Sequence, residues 1–325
     1  MPFLMKNLPR LFCSFVSLPL TVAACALAEE TEFTIGPDYA DAAETKVQAG
    51  VPQGQIHEFT MESKDSKIYR GIAKDKKGTV PYQRKVAVYV PSQYKAGDEV
   101  PFIVAQDGLG YRGVLPHVLN NLIHEKRLPV MAAIMINSGG GDSKGSQRGL
   151  EYDTVDDTYA KFIETEVLPK ISKDYKIKFT ADPEGRATMG GSSGGAAAFT
   201  MAWFHPDLYR KVLTYSGTYV DQQFPTNPRT PHGAWEYHEN LIRKSAKKPM
   251  RVWLEVSEID NGHDRDEASL HNWVMANQRM AAELKAKGYD YRYVFAKAAG
   301  HTDGRVTKQT LPGALEWLWR GRKTR

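Results

Sequence analysis

Residues 187–198 read ATMGGSSGGAAA, and few backbones can accommodate that run. An apolar strand end passes through four glycines wrapped around two serines into a helix of small residues. This is the pattern of a sharp strand-to-helix turn that lifts a serine hydroxyl out of a sheet. A residue on so tight a turn has strained φ and ψ, and the positions two before and two after it must lack bulk. Two registers meet that condition: Ser192 between Gly190 and Gly194, or Ser193 between Gly191 and Gly195. Ser192 is preferred, because it leaves Ala187, Thr188 and Met189 as the strand end and gives the helix Gly194, Gly195 and three alanines for close packing on the sheet. A flexible linker would not be bracketed by a strand and an alanine-rich helix. A phosphate-cradling loop would end in Lys-Ser/Thr, which is absent.

The rest of the chain supplies strands and helices in alternation around this turn. Residues 56–61 and 85–90 alternate apolar and polar positions, as paired antiparallel strands do. Residues 101–105 and 130–136 are short, continuously apolar runs of the buried-strand type, with helical spacing over 114–125 between them. An amphipathic helix is expected over 159–175, ahead of the serine turn. Strands follow at 211–219 and 251–256, separated by a proline-containing insertion over 221–249. Then come a long helix over 270–287, a strand at 291–295 and a closing helix at 311–319. The expected fold class is α/β, a mostly parallel central sheet with helices on both faces. The glycine-rich stretch 138–146 has no helical pattern directly behind it and reads as a flexible rim of the site.

The 325 residues, 42% of them hydrophobic, suffice for one large catalytic domain, placed at 55–325. Residues 29–54 read as an extended lead-in, and 1–28 as an export signal. In that signal Lys6 and Arg10 precede an apolar stretch, and Ala26-Leu-Ala28 offers a small-x-small cleavage site. Val22-Ala-Ala-Cys25 also resembles a lipobox, so tethering to a membrane through a lipidated Cys25 is a competing expectation. Both cysteines, Cys13 and Cys25, lie in this leader, which excludes a thiol nucleophile or thiolate metal site from a domain cleaved after Ala28. Losing Lys6 and Arg10 leaves 41 basic against 38 acidic residues, too balanced for a nucleic-acid partner. The expected location is periplasmic or secreted.

A serine hydroxyl needs an adjacent base, and the base needs a third group to fix its tautomer. The turn after the strand at 251–256 carries Asp260, and the loop after the last strand carries His301 beside Gly300. The order Ser192, Asp260, His301 is that of an α/β-hydrolase. Glu258, Asp264 and Asp266 are rivals for the acid; His232, His238, His263 and His271 read as structural or rim histidines. No His-Glu-x-x-His or comparable spacing argues for a metal. Backbone donors for the tetrahedral oxyanion are expected at the Ser193 amide, directly after the nucleophile, and at Leu109, where Gly108 lets the chain turn after its strand. Tyr111, Trp235 and Trp273 are candidate aromatic walls for the substrate.

Taken together, Asp107-Gly-Leu109, the Gly-Gly-Ser-Ser-Gly-Gly turn, the late Asp260 and Gly300-His301 resemble the "Putative esterase" family of α/β-hydrolases, which includes enterochelin, feruloyl and acetylxylan esterases and mycolyltransferases. Residues 147–153, 204–212 and 273–278 look particularly like its bacterial enterochelin-esterase-like members. The resemblance spans roughly 55–319. It implies the α/β-hydrolase fold and a serine ester hydrolase that needs no cofactor and acts on small-molecule esters of siderophore-like, aromatic or carbohydrate type. Acyl transfer to a sugar or cell-envelope alcohol, and a non-catalytic ligand-binding protein on the same fold, are the alternatives. Many members carry a bulkier residue where this chain has Ser193.

Overall fold

The computed structural model describes residues 1–2, 30–72, 78–141 and 145–322. Apart from residues 1–2, the expected export signal at 1–28, with its lipobox and both cysteines, lies outside the described residues. Residues 31–325 form one compact unit. Among the described residues no helix is long and apolar enough to cross a membrane.

Eleven strands are defined among the described residues. They are β1 (Glu32–Ile35), β2 (Gln55–Glu62), β3 (Gln83–Val90), β4 (Glu99–Val100), β5 (Phe102–Gln106), β6 (Ala132–Ile136), β7 (Lys178–Phe179), β8 (Arg186–Gly191), β9 (Lys211–Tyr215), β10 (Arg251–Ile259) and β11 (Asp290–Gly300). Nine of them make one sheet in the order β1-β11-β10-β9-β8-β5-β6-β3-β2, while β4 and β7 pair separately. Every pairing in the large sheet is parallel except those of β3 with β2 and with β6. The antiparallel end thus comprises the two strands whose sequences alternate.

The helices are α1 (Leu115–His124), α2 (Gln147–Tyr152), α3 (Thr158–Phe162), α4 (Leu168–Tyr175), α5 (Ser193–Phe204), α6 (Ile242–Lys244), α7 (Trp273–Ala286) and α8 (Gly304–Trp319). Because side chains alternate along a strand, each buried strand feeds two cores. Phe102 and Val104 of β5 join the core with α3, α5 and α7, whereas Ile103 and Ala105 join the one with α1 and α8. Both faces are covered, so the fold class is α/β as expected.

Three local differences have physical causes. The helix expected over 159–175 is broken by a π-helical turn at Ile163–Val167, just before Pro169, whose missing N–H cannot continue the ladder. A helix does open behind the glycine-rich loop: α2 is capped by Ser146, whose hydroxyl accepts from the Gly149 amide at 3.0 Å. It is pinned by a bidentate ion pair between the buried side chains of Arg84 and Glu151 (2.6 Å), which a hydrophobic-period reading cannot detect. Finally, the lead-in is not merely extended chain, since its residues 32–35 add β1 to the sheet edge beside β11.

Candidate active site

Ser192 has φ 56° and ψ −133°, outside the regions open to most L-residues, and follows directly on β8. The glycines around it are required by contact. A Cβ on Gly190 would lie 2.4 Å from the carbonyl carbon of Gly194. The turn is held by the Ser192 amide donating to the Tyr215 carbonyl (2.9 Å), with the Thr218 and Gly195 amides donating to the Ser192 carbonyl. Ser193 is buried as the first residue of α5. The hydroxyl at the apex of the turn is therefore that of Ser192.

Two loops bring partners to that hydroxyl. His301 follows β11, and its Nε2 lies 2.9 Å from Ser192 Oγ. The loop is fixed by the Thr302 amide donating to Ser216 Oγ at 3.0 Å. Asp260 follows β10 past an irregularity in the ladder between Ser257 and Ile259. Its Oδ1 lies 2.5 Å from His301 Nδ1 and also accepts the Asn261 amide at 2.7 Å. A carboxylate only accepts, so the imidazole proton sits on Nδ1 and Nε2 is left to accept from the serine hydroxyl. Asp260 is 1% exposed, whereas His301 is reachable from solvent.

The rivals are placed elsewhere. Glu258 accepts the Ala298 amide, Asp266 caps a short turn at Glu267–Ser269, and His263 Nδ1 lies 3.1 Å from the Asp260 carbonyl oxygen. His238 is buried against the Tyr219 carbonyl oxygen, and burial pushes its pKa down to about 4, so it is neutral at pH 7. His232, Glu236 and Glu239 bring potential ligand atoms within 4.8 Å of one another, but none of them lines the cleft.

The cleft over Ser192 has a volume of about 540 Å³. Its walls include Asp107, Tyr111, Arg148, Thr302 and Lys308. Tyr111 is where the sequence put it, on the wall. Trp273 lies behind the site: its Nε1 donates to Thr218 Oγ1 (3.2 Å), which is 3.4 Å from Ser192 Oγ, and its ring stands edge-on to His301 at 6.1 Å. Trp235 is not a cleft residue. It is 1% exposed and packs against His238 in the core, because an indole that finds enough apolar neighbours is buried however many aromatics the sequence offers.

The two backbone donors differ. The Ser193 amide stands at the first position of α5, where a helix N–H has no intrahelical acceptor and the helix dipole is positive. The Leu109 amide donates to Asn137 Oδ1 at 3.2 Å, and Leu109 packs against the core instead of lining the cleft. In this structure that amide is taken up by Asn137.

Sequence reasoning missed Arg148 and Thr218. Arg148 reaches the cleft from α2 and pairs with Asp107 at 2.7 Å. The available signal was Ser146, a preferred N-cap residue directly ahead of a helical run.

The family model described as "Putative esterase" matches residues 78–318. The uncharacterized protein YbbA of Bacillus subtilis (strain 168) is 22% identical over 250 residues, covering 73% of this chain and 92% of that protein. Among solved structures, the enterobactin esterase FES from Shigella flexneri aligns with a TM-score of 0.57 at 19% identity, covering 83% of this chain and 61% of that one. The chain thus spans about three fifths of the Shigella protein. A ferulic acid esterase from the anaerobic fungus Anaeromyces mucronatus aligns with a TM-score of 0.61 at 13% identity, covering 87% and 96%.

Proposed function

We propose that this chain, which belongs to the "Putative esterase" family, is a carboxylic-ester hydrolase that works through an acyl-enzyme formed on Ser192. The observation that carries this reading is the continuous line from Ser192 Oγ through His301 to the buried Asp260, at 2.9 and 2.5 Å, opening on a cleft.

His301 Nε2 takes the hydroxyl proton as Oγ attacks the ester carbon, while Asp260 stabilises the imidazolium. The oxyanion receives the Ser193 amide. Leu109 supplies the second donor by exchanging Asn137 for the substrate oxygen. As the intermediate collapses, His301 returns its proton to the leaving alcohol. Water then repeats the sequence on the acyl-enzyme and releases the acid.

The cleft wall supports an aromatic or polyhydroxylated ester. Tyr111 puts an aromatic residue on that wall, and Arg148 and Lys308, paired with Asp107 and Asp41, bring positive charge to it. Enterobactin and ferulic acid esterases share the fold, and esters of those two classes are the substrates to try first. The leader at 1–28 supports export to the periplasm or beyond. Hydrolysis of p-nitrophenyl acetate, feruloyl and catecholate esters by wild type and Ser192→Ala tests the chemistry. Equal rates in the two proteins would refute it.

A further inference from the structure

The insertion between β9 and β10 brings three metal-ligating side chains to one point. Ligand atoms of His232, Glu236 and Glu239 lie within 4.8 Å of one another. All three fall within residues 232–239, and the backbone sets them together. The Gly233 amide donates to the Thr230 carbonyl oxygen at 3.0 Å, and Gly233 turns the chain at φ +55° into a 3-10 turn at Gly233–Trp235. Ala234 and Trp235 anchor that turn in the core. A π-helical turn follows at Tyr237–Leu241, and Glu236 and Glu239, three positions apart, come to the same side as His232.

The burial of Glu236 makes this convergence costly without a cation. Glu236 is 4% exposed. Asn240 Nδ2 donates to its Oε2 at 2.7 Å, and among the described residues nothing donates to Oε1. No described cation pairs with Glu236 or Glu239, and His232 bonds to neither of them. Arg279, whose guanidinium lies over the Trp235 ring, is paired with Glu267 instead, and His238 is committed to the Tyr219 carbonyl oxygen. A carboxylate taken out of water needs a cation or a metal, and a second carboxylate beside it adds repulsion.

We propose that His232, Glu236 and Glu239 hold a divalent transition-metal ion, zinc foremost. One imidazole nitrogen and two carboxylate oxygens are a zinc donor set, and His232 and Glu239 reach solvent, so water can complete the coordination. An imidazole among the donors disfavours magnesium and calcium, which take oxygen ligands. None of the three residues lines the cleft, so the ion ties the turn to the helix after it and clamps the insertion, apart from the chemistry on Ser192. A histidine with glutamates four and seven positions on is no standard zinc motif, and only the folded turn brings the three together.

The test dialyses chelator-stripped wild type, His232→Ala, Glu236→Gln and Glu239→Gln against zinc sulfate, with magnesium and calcium chlorides as controls. Bound metal is read by mass spectrometry, beside thermal unfolding. Wild type is expected to retain about one zinc ion per chain and neither control ion, and zinc at about a hundredfold excess over Kd should raise Tm by roughly 4 °C. Each substitution should weaken zinc binding by at least about tenfold. Glu236→Gln carries a further signature: stripped of metal it should melt above stripped wild type, because the buried charge is gone, yet gain nothing from zinc. Zinc retained equally by wild type and the variants marks adventitious surface binding and overturns the proposal, as does a wild type that retains none or a Glu236→Gln melt that rises with zinc as wild type does. If the Glu236 variant does not fold, His232→Ala and Glu239→Gln, which lie outside the core, decide alone.

Discussion

Alanine at Gly190 is the sharpest probe of how the turn builds the site. The added methyl would meet the carbonyl carbon of Gly194 at 2.4 Å, its oxygen at 2.5 Å and its Cα at 3.0 Å. All three are backbone atoms, so no side chain can rotate away, and ordinary contact requires roughly 1 Å of separation between β8 and the first turn of α5. Overpacking of this kind costs about 1–3 kcal/mol, which a domain of this size survives. Catalysis should suffer more. Ser192 sits on the segment that must move, and displacing it by about 1 Å from His301 Nε2 costs on the order of a hundredfold in kcat. Gly313→Ala is the control: it lies exposed inside α8 with nothing within 4 Å of the new methyl, and should stabilise the fold by about 0.5–1 kcal/mol. The assay is kcat with p-nitrophenyl acetate beside thermal unfolding of both variants. Wild-type kcat in a folded Gly190→Ala protein would show that the turn tolerates a side chain there and that the spacing argument is wrong.

Other outcomes follow from the same geometry. Ser193→Ala keeps the backbone amide and should cost less than about tenfold in kcat, against at least a thousandfold for Ser192→Ala; the reverse ranking would move the nucleophile one residue on. Removing one partner of the buried pair, as in Glu151→Ala, should destabilise the protein by about 3–5 kcal/mol in urea unfolding, because Arg84 is left charged and dry. Glu255 makes stability depend on pH with a definite sign. Its pKa rises from 4.5 unfolded to about 8 folded, so the native state holds the extra proton. The stabilisation is complete below about pH 4.5 and is lost as pH rises through 8, at most roughly 5 kcal/mol over that window. Glu255→Gln should flatten this slope in a series of melts, and parallel curves for the two proteins would contradict it.

Much of this molecule is legible as sequence because its signals are steric and periodic. The glycines at 190, 191, 194 and 195, the apolar runs of β5, β6 and β8, and the order of Ser192, Asp260 and His301 each leave a local trace. What escaped depends on distant partners. Nothing adjacent to Leu109 reveals that Asn137, 28 residues later, takes its amide. Trp235 and Tyr111 are both aromatics in polar stretches, and only the packing of other segments sends one to the core and the other to the cleft. The carboxylate of Glu255 stands in the apolar run Val252 to Val256, and a charge at such a position is a visible anomaly that a period count averages away.

The pairing of β1 with β11 has a temporal side. Residues Glu32 to Ile35 lie against Tyr293 to Ala296, and the Tyr39 hydroxyl reaches the Lys297 carbonyl oxygen across 258 positions of chain. A growing polypeptide emerging from the ribosome holds its opening strand long before the closing one exists. The edge that flanks the His301 loop thus stays unfinished until Ala296 has been added, and the histidine can reach its serine only after the chain has grown through residue 301.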